Sequence, residues 1–173
     1  MTDRITKTCS QSRVIKTSRV FPLDTNNHGT LFGGKLMSMI DDVASISASR
    51  HARCEIVTAS TDSVDFLFPI QKDHSVCLES YVTWVGKSSM EVFVKVISEN
   101  LMTGERQLAA TSFLTFVALS KEGKALTVPY VKPVSEEEIM MNESAPMRAD
   151  NRKKRREHSK TLGEKINVNV PWG

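Results

Sequence analysis

Between Ile5 and Leu119 the spacing of apolar residues changes type several times. The stretch 14–21 reads as a short strand, and 22–29 is dense in turn formers (Asp24, Asn26, Asn27, Gly29). From Leu36, apolar residues recur at Ile40 and Val43 and again at Met37, Ala44 and Ala48. That three-to-four spacing is one helical face and predicts a helix running to about Ala52. Four strand-like runs follow, over 56–68, 76–85, 90–101 and 107–119. The third alternates, with Met90, Val92, Val94 and Val96 on one face and Glu91, Lys95 and Glu99 among the residues on the other, so it is expected to be half buried. The last, with Phe113, Leu114, Phe116, Val117 and Leu119, is apolar on both faces and reads as an inner strand. Hairpin turns fit at 86–89 and 102–105. One strand, one long helix and four antiparallel strands predict an α+β domain, a single sheet wrapped on one helix.

A different pattern begins near Ser135. Pro129 and Pro133 bracket an extended linker, and Ser135 followed three residues later by Glu138 reads as a capping box opening a helix with acidic first residues. Pro146 is expected to interrupt that helix, and 167–173, which shows no periodicity, is expected to fray. The segment 148–160 carries seven basic residues (Arg148, Arg152, Lys153, Lys154, Arg155, Arg156, Lys160) against Asp150 and Glu157. The favoured reading is a solvated helix face whose basic second half is balanced by Glu136, Glu137, Glu138 and Glu143. No aromatic residue is interleaved with the run, which argues against nucleic acid.

Length and composition narrow the class. The chain has 173 residues, 40% of them hydrophobic and 25% charged, enough for one ordinary core. No apolar run approaches the roughly 18 residues that span a membrane. The first twenty residues mix Asp3, Arg4, Lys7, Arg13, Lys16 and Arg19 with polar residues, without an apolar leader core. A soluble, cytoplasmic protein is expected. Three cysteines, Cys9, Cys54 and Cys77, cannot close a disulfide set and read as small buried hydrophobes. A net charge of +3 points to no polyanionic partner by itself.

Candidate chemistry concentrates in residues 24–42. Gly29, Gly34 and Lys35 fit seven positions of a phosphate loop, but Leu36 stands where a magnesium-binding hydroxyl is needed. Gly33 and Gly34 at the helix start leave backbone N–H groups approachable, and the helix dipole adds partial positive charge, an arrangement suited to an oxyanion; close helix packing explains the same glycines. Projected at about 100° per residue, Leu36, Ile40, Ala44, Met37 and Ala48 form one arc with Asp41 roughly 20° beyond its edge. Asp42 falls among Ser38, Ser45 and Ser49. Asp42 is thus the solvated carboxylate, while Asp41, on the shoulder of a buried face, is a candidate base or nucleophile or else a structural acceptor. Asn26 and His28 flank the same loop and fit either water orientation or turn chemistry. His51-x-x-Cys54 and His74-x-x-Cys77 lack the paired spacing of a zinc site, so no metal is expected. No G-x-S-x-G nucleophile elbow occurs.

These residues resemble a known family, the hotdog-fold acyl-CoA thioesterases, particularly the bacterial short-to-medium-chain hydrolases and the cytosolic brain-type enzymes. The resemblance rests on Asn26-x-x-Gly29-x-x-Phe32-Gly33-Gly34, on Met39-Ile40-Asp41, and on the strand from Thr58 through Asp62 to Phe66, which leads to Pro69-Ile70. It extends to Val85-Gly86-Lys87-Ser88-Ser89 and to Thr103-Gly104-Glu105-Arg106 leading into 113–118. It implies a hotdog thioesterase domain over 10–125, with 126–173 a linker and charged helical tail outside it. It further implies that Asp41 is the catalytic carboxylate, partnered by Asn26 of another protomer, and that Gly33 and Gly34 are the oxyanion donors. Gly86, Lys87, Ser88, Ser89 and Arg106 are implied to contact coenzyme A. The substrate implied is acyl-CoA, with no cofactor beyond the coenzyme it carries. The assembly implied is a homo-oligomer, a dimer at minimum and a trimer of dimers in the family's pattern, without nucleic acid or membrane insertion. A non-catalytic acyl-CoA sensor on the same fold is the alternative.

Overall fold

In the computed structural model, which describes residues 4–169, the helical stripe and the four long strands form one layered unit. In chain order the elements are β1 (Thr6–Thr8), β2 (Val14–Arg19), α1 (Gly33–Ala52), β3 (Glu55–Phe66), β4 (Ser75–Val85), β5 (Ser89–Glu99), β6 (Arg106–Leu119), β7 (Tyr130–Lys132) and α2 (Glu136–Gly163). β2 to β6 make a five-stranded antiparallel sheet in the order β2-β4-β5-β6-β3. The predicted strands thus stand within one or two residues of their expected bounds, and β6 lies inside the sheet as its apolar run required. β1 and β7 add a small parallel pair that the hydropathy pattern did not reveal.

α1 forms because its apolar stripe has a sheet to cover. Leu36, Ile40, Val43, Ala44 and Ala48 are buried against Leu78, Val82, Met90, Val92, Val94, Val96, Leu114 and Phe116, the alternate residues of β4, β5 and β6. Ser47 and Ser80 hydrogen-bond within this core at 2.8 Å, and Ser80 also donates to the Val43 carbonyl, so neither hydroxyl is left unpaired. α1 ends at Arg53, which adopts the left-handed conformation at φ 56°. Met37, inside the projected arc, is instead exposed on the same shoulder as Asp41, one turn away.

The opposite face of the sheet departs from expectation. α2 is one continuous helix through Pro146, capped by Ser135, whose hydroxyl accepts from the Glu138 N–H. It lies on the second face and buries Glu91, Thr83, Glu138 and Arg152. β5 is therefore buried on both faces in its middle, not half buried. The basic run is correspondingly not wholly solvated: Arg148 pairs with Glu91 at 2.7 Å, and Arg152 with Asp62 at 2.6 Å. A small cluster of Cys9, Tyr81 and Phe93 supplies the apolar part of this seam. The expectation for 167–173 lies mostly outside the described residues. No helix among the described residues is long and apolar enough to cross a membrane.

Candidate active site

The turn-rich segment before α1 folds back on itself through short-range bonds. The Asn26 N–H donates to the Thr30 carbonyl at 2.9 Å, and the Gly29 N–H to the Asn26 carbonyl at 3.0 Å, with Gly29 at φ +74°, where a side chain would be strained. The Asn26 Oδ1 accepts from the His28 N–H at 2.9 Å and from Thr30, an Asx turn that locks this loop. Phe32 closes it by donating its N–H to the Asp24 carbonyl, and α1 starts at once, its first internal bond running from the Leu36 N–H to the Phe32 carbonyl at 3.0 Å. The amides of Gly33 and Gly34 precede that bond and have no acceptor inside the helix. A Cβ on Gly34 would stand 2.6 Å from the Phe32 ring, so a side chain there would have to displace that exposed ring; at Gly33 a Cβ would make only ordinary contact with Phe66. His28 is exposed.

Asn26 and Gly33 line one cleft of about 400 Å³, walled by Leu31, Leu36, Phe66, Leu67, Phe68 and Ile70. Apolar walls with an amide group and a helix start at one end suit a chain bearing a carbonyl. Asp41 lines a separate cleft of about 400 Å³ with Lys35, Ser38, Met39 and Asp42. Within one chain the structure therefore does not bring Asn26 and Asp41 together.

The two adjacent carboxylates differ as the helical projection predicts. Asp42 is exposed and pairs with Lys16. Asp41 is half buried, accepts the Thr58 hydroxyl at 3.2 Å, and among the described residues forms no ion pair with a lysine or arginine. Thr58 is a polar partner that sequence reasoning missed. The available signal was alternation: Ile56 packs against the α1 core, so Thr58, two residues on, faces the same helix with a hydroxyl.

The turn 86–89 is held on all sides. The Gly86 N–H donates to the Ser89 carbonyl, Arg4 donates to the Gly86 carbonyl at 2.6 Å, and Val128 donates to the Lys87 carbonyl. The Lys87 side chain is exposed. Arg106 is not near this turn: it stands opposite Glu99, at the other end of β5 and about 30 Å away by strand rise, and pairs with Glu99 at 3.3 Å. The two His-x-x-Cys pairs have other attachments. The buried His51 Nε2 bonds the Pro129 carbonyl at 3.0 Å, burial holding its imidazole below the ordinary value, and His74 Nδ1 bonds Ser98. Cys9 is fully buried, which pushes its thiol up to about 12, whereas Cys54 and Cys77 are only half buried. A cavity of about 790 Å³ lies away from both carboxylates, between the basic end of α2 and Trp84.

The thioesterase superfamily matches residues 28–105. A Bacillus subtilis protein, the uncharacterised acyl-CoA thioester hydrolase YkhA, is 68% identical over 167 residues, covering 96% of this chain and 97% of that one. This chain belongs to the acyl-CoA thioester hydrolases of the hotdog thioesterase superfamily. An acyl-CoA hydrolase of Staphylococcus aureus, solved with butyryl coenzyme A, coenzyme A and coenzyme A disulfide, superposes with a TM-score of 0.89 at 46% identity, over 92% of this chain and 97% of that one. An apo-hexameric acyl-CoA thioesterase superposes with a TM-score of 0.85 at 48% identity, over 87% and 97%. The S. aureus enzyme has also been solved as three single alanine mutants, of an asparagine, an aspartate and a threonine. Those three positions are spaced by fifteen and then seventeen residues, which is the spacing of Asn26, Asp41 and Thr58.

Proposed function

We propose that this hydrolase cleaves acyl-CoA to a free fatty acid and coenzyme A, with Asp41 as the carboxylate that drives attack and no metal or cofactor beyond the coenzyme in the substrate. The observation that carries this reading is Asp41 itself: half buried, aimed by one hydroxyl, and free of a cationic partner among the described residues. An arginine paired to it would lower its basicity and its nucleophilicity. The matching spacing of Asn26, Asp41 and Thr58 supports the same three residues.

The chemistry balances without further groups. As a base, Asp41 takes a proton from water while the oxygen bonds the thioester carbon and the carbonyl electron pair moves onto oxygen. The Gly33 and Gly34 amides stabilise that oxyanion. Collapse breaks the carbon–sulfur bond, and the proton returns to the departing thiolate. As a nucleophile, the carboxylate bonds the thioester carbon and the carbon–sulfur bond breaks, releasing coenzyme A as a thiolate that takes a proton from solvent; water then opens the resulting acyl anhydride to the free acid and the Asp41 carboxylate. In single turnover in ¹⁸O-water, first-turnover acid without label, with the label left in Asp41, identifies the nucleophilic route with water opening the anhydride at the Asp41 carbonyl carbon.

The separation of the Asn26 and Asp41 clefts supports a site completed by a second copy. Among the described residues β3 pairs only with β6, leaving its other edge open, and Phe32, Met37, Val57, Phe66, Leu67 and Phe68 are exposed around it. A second protomer along this edge would cover them and bring its Asn26 to Asp41, and the hexameric relative supports a trimer of such dimers. The turn of Gly86, Lys87, Ser88 and Ser89 offers an ammonium and two hydroxyls to the phosphates of coenzyme A. Arg106 would reach a coenzyme from a different copy than that turn. Residues 10–125 form the thioesterase domain, and 126–173 its appended linker and helix. Three unpaired thiols fit the reducing cytoplasm as the compartment.

The test is thiol release from acyl-CoAs of graded chain length. Asp41→Asn should lower kcat on the order of 10³-fold while acyl-CoA still binds. Negligible release by both proteins alongside tight binding would overturn the hydrolase reading in favour of a sensor.

A further inference from the structure

Attack by Asp41 on the thioester makes no use of the charge cluster where α2 meets β3. We propose that Asp62, gripped by Arg152 and Arg155 of α2, is a positioning residue that fixes how the Thr58 hydroxyl is presented to Asp41. The inference rests on the Asp41–Thr58 reading of the site.

In a regular strand Thr58, Ser60 and Asp62 would share one face. Here the pairing of β3 with β6 shifts twice, between Thr58 and Ser60 and between Thr61 and Ser63, so Ala59 and Asp62 are bulged. Thr58 keeps the α1 side set by Ile56, opposite the core residue Phe116, and the first bulge turns Ser60 to the α2 side, opposite Thr115. With Ser60 and Asp62 held on the α2 side, a strand without that bulge would turn Thr58 away from Asp41.

The bulged segment has lost ladder bonds and needs another anchor, and Asp62 supplies one. Its side chain is only 9% exposed, and its two oxygens accept from Ser60 at 2.6 Å, Thr115 at 3.0 Å, Arg152 at 2.6 Å and Arg155. Ser60 and Thr115 are the pair that immediately follows the first bulge. One carboxylate therefore ties both strands at the register shift to a helix on the far face of the sheet, through Ser60, which lies two residues from the hydroxyl that meets Asp41.

The experiment compares kcat and KM for acyl-CoA hydrolysis, with thermal melting, in wild type, Asp62→Asn, Thr58→Ala and the double variant. Each single change should lower kcat about tenfold with KM within about twofold, and the double should be no slower than the slower single. A double variant slower by about a hundredfold, or a loss that tracks only the unfolded fraction, overturns the proposal. Arg155→Gln, at the exposed end of the grip, should fold normally and lower kcat about threefold, with Arg155→Lys restoring most of it. That loss should vanish when Thr58 is already alanine; persistence there overturns the proposal even if Asp62→Asn fails to fold. If Asp41→Asn abolishes turnover while Thr58→Ala is silent, the positioning role alone falls. If Asp41→Asn keeps wild-type turnover, the site reading falls first.

Discussion

The two faces of the sheet are buried by opposite means. Against α1 the contacts are aliphatic and aromatic, with Ile40, Val43, Val92, Leu114 and Phe116 essentially inaccessible. Against α2 the central contacts are ionic: fully buried Glu91 accepts from Thr83 at 2.9 Å and from Arg148 at 2.7 Å, while Arg148 lies over the Phe113 ring at 4.0 Å. Nearer the start of α2, Glu137 meets Lys95 at 2.9 Å and Tyr81 at 2.9 Å, and Glu138 meets Arg13 at 2.6 Å. An apolar face tolerates small errors of position, because dispersion is non-directional. An ionic face fixes orientation, because a misplaced partner leaves a buried charge unpaired.

The largest expected effect lies on the apolar face. Phe116→Ala should lower unfolding free energy by about 4 kcal/mol in urea titration at fixed protein concentration. Glu91→Ala, on the ionic face, should follow at about 3 kcal/mol, since it strands the Arg148 guanidinium. The faces should then part company in their rescue. Combining Glu91→Leu with Arg148→Met, with Arg152 still paired to Asp62, should return stability to within about 1 kcal/mol of wild type. Failure of that double replacement would mean that the α2 face depends on charge for stability and not only for register.

This contrast also explains what could be read in advance. Leu36, Ile40 and Ala44 announce α1 because burial selects apolar residues at helical spacing, and the alternation of Met90, Val92, Val94 and Val96 announces β5 for the same reason. Asp41 was legible through its offset from that stripe. Glu91, Arg148 and Arg152 carry no such mark, since a charged residue buried by a partner is indistinguishable in sequence from one in water. The β3 bulges escaped as well: strict alternation would put Thr58, Ser60 and Asp62 on one face, and only the register with β6 divides them. The separation of Arg106 from the 86–89 turn is likewise a matter of which end of β5 each pairs with.

Acid should separate the faces at smaller effect. Burial pushes the Asp62, Glu137 and Glu138 carboxyls up, but donors outweigh it and hold all three below the usual range. Those donors are Ser60, Arg152 and Arg155 for Asp62, Lys95 and Tyr81 for Glu137, and the Ser135 and Val134 amides with Arg13 for Glu138. The unfolded chain therefore binds protons at these groups more readily than the folded one. Their stabilisation is full above about pH 4.5, the unfolded range, and is lost as pH falls through the lower folded values. Amide hydrogen exchange in α2 should accelerate below about pH 4 before that of α1 does. Simultaneous loss of both helices would show that the α2 face does not release independently.

The smallest effect concerns Pro146, which sits inside α2 although it can donate no N–H to the Asn142 carbonyl one turn back. An interior proline disfavours an isolated helix by about 3 kcal/mol relative to alanine. α2 continues because its far half is anchored elsewhere: Arg148 to Glu91 and Arg152 to Asp62. The neighbouring carbonyls also find other donors, Met141 from Arg148 at 2.6 Å and Met140 from the Ser144 hydroxyl at 2.7 Å. With tertiary contacts setting the path of the helix, Pro146→Ala should raise stability by only about 1 kcal/mol. In the Glu91→Ala background, where the anchor is weakened and helix propensity counts for more, the gain should climb toward about 3 kcal/mol. An equal gain in both backgrounds would separate the proline from the ionic seam, and a loss in wild type would show that the bend it imposes is what brings Arg148 over Glu91.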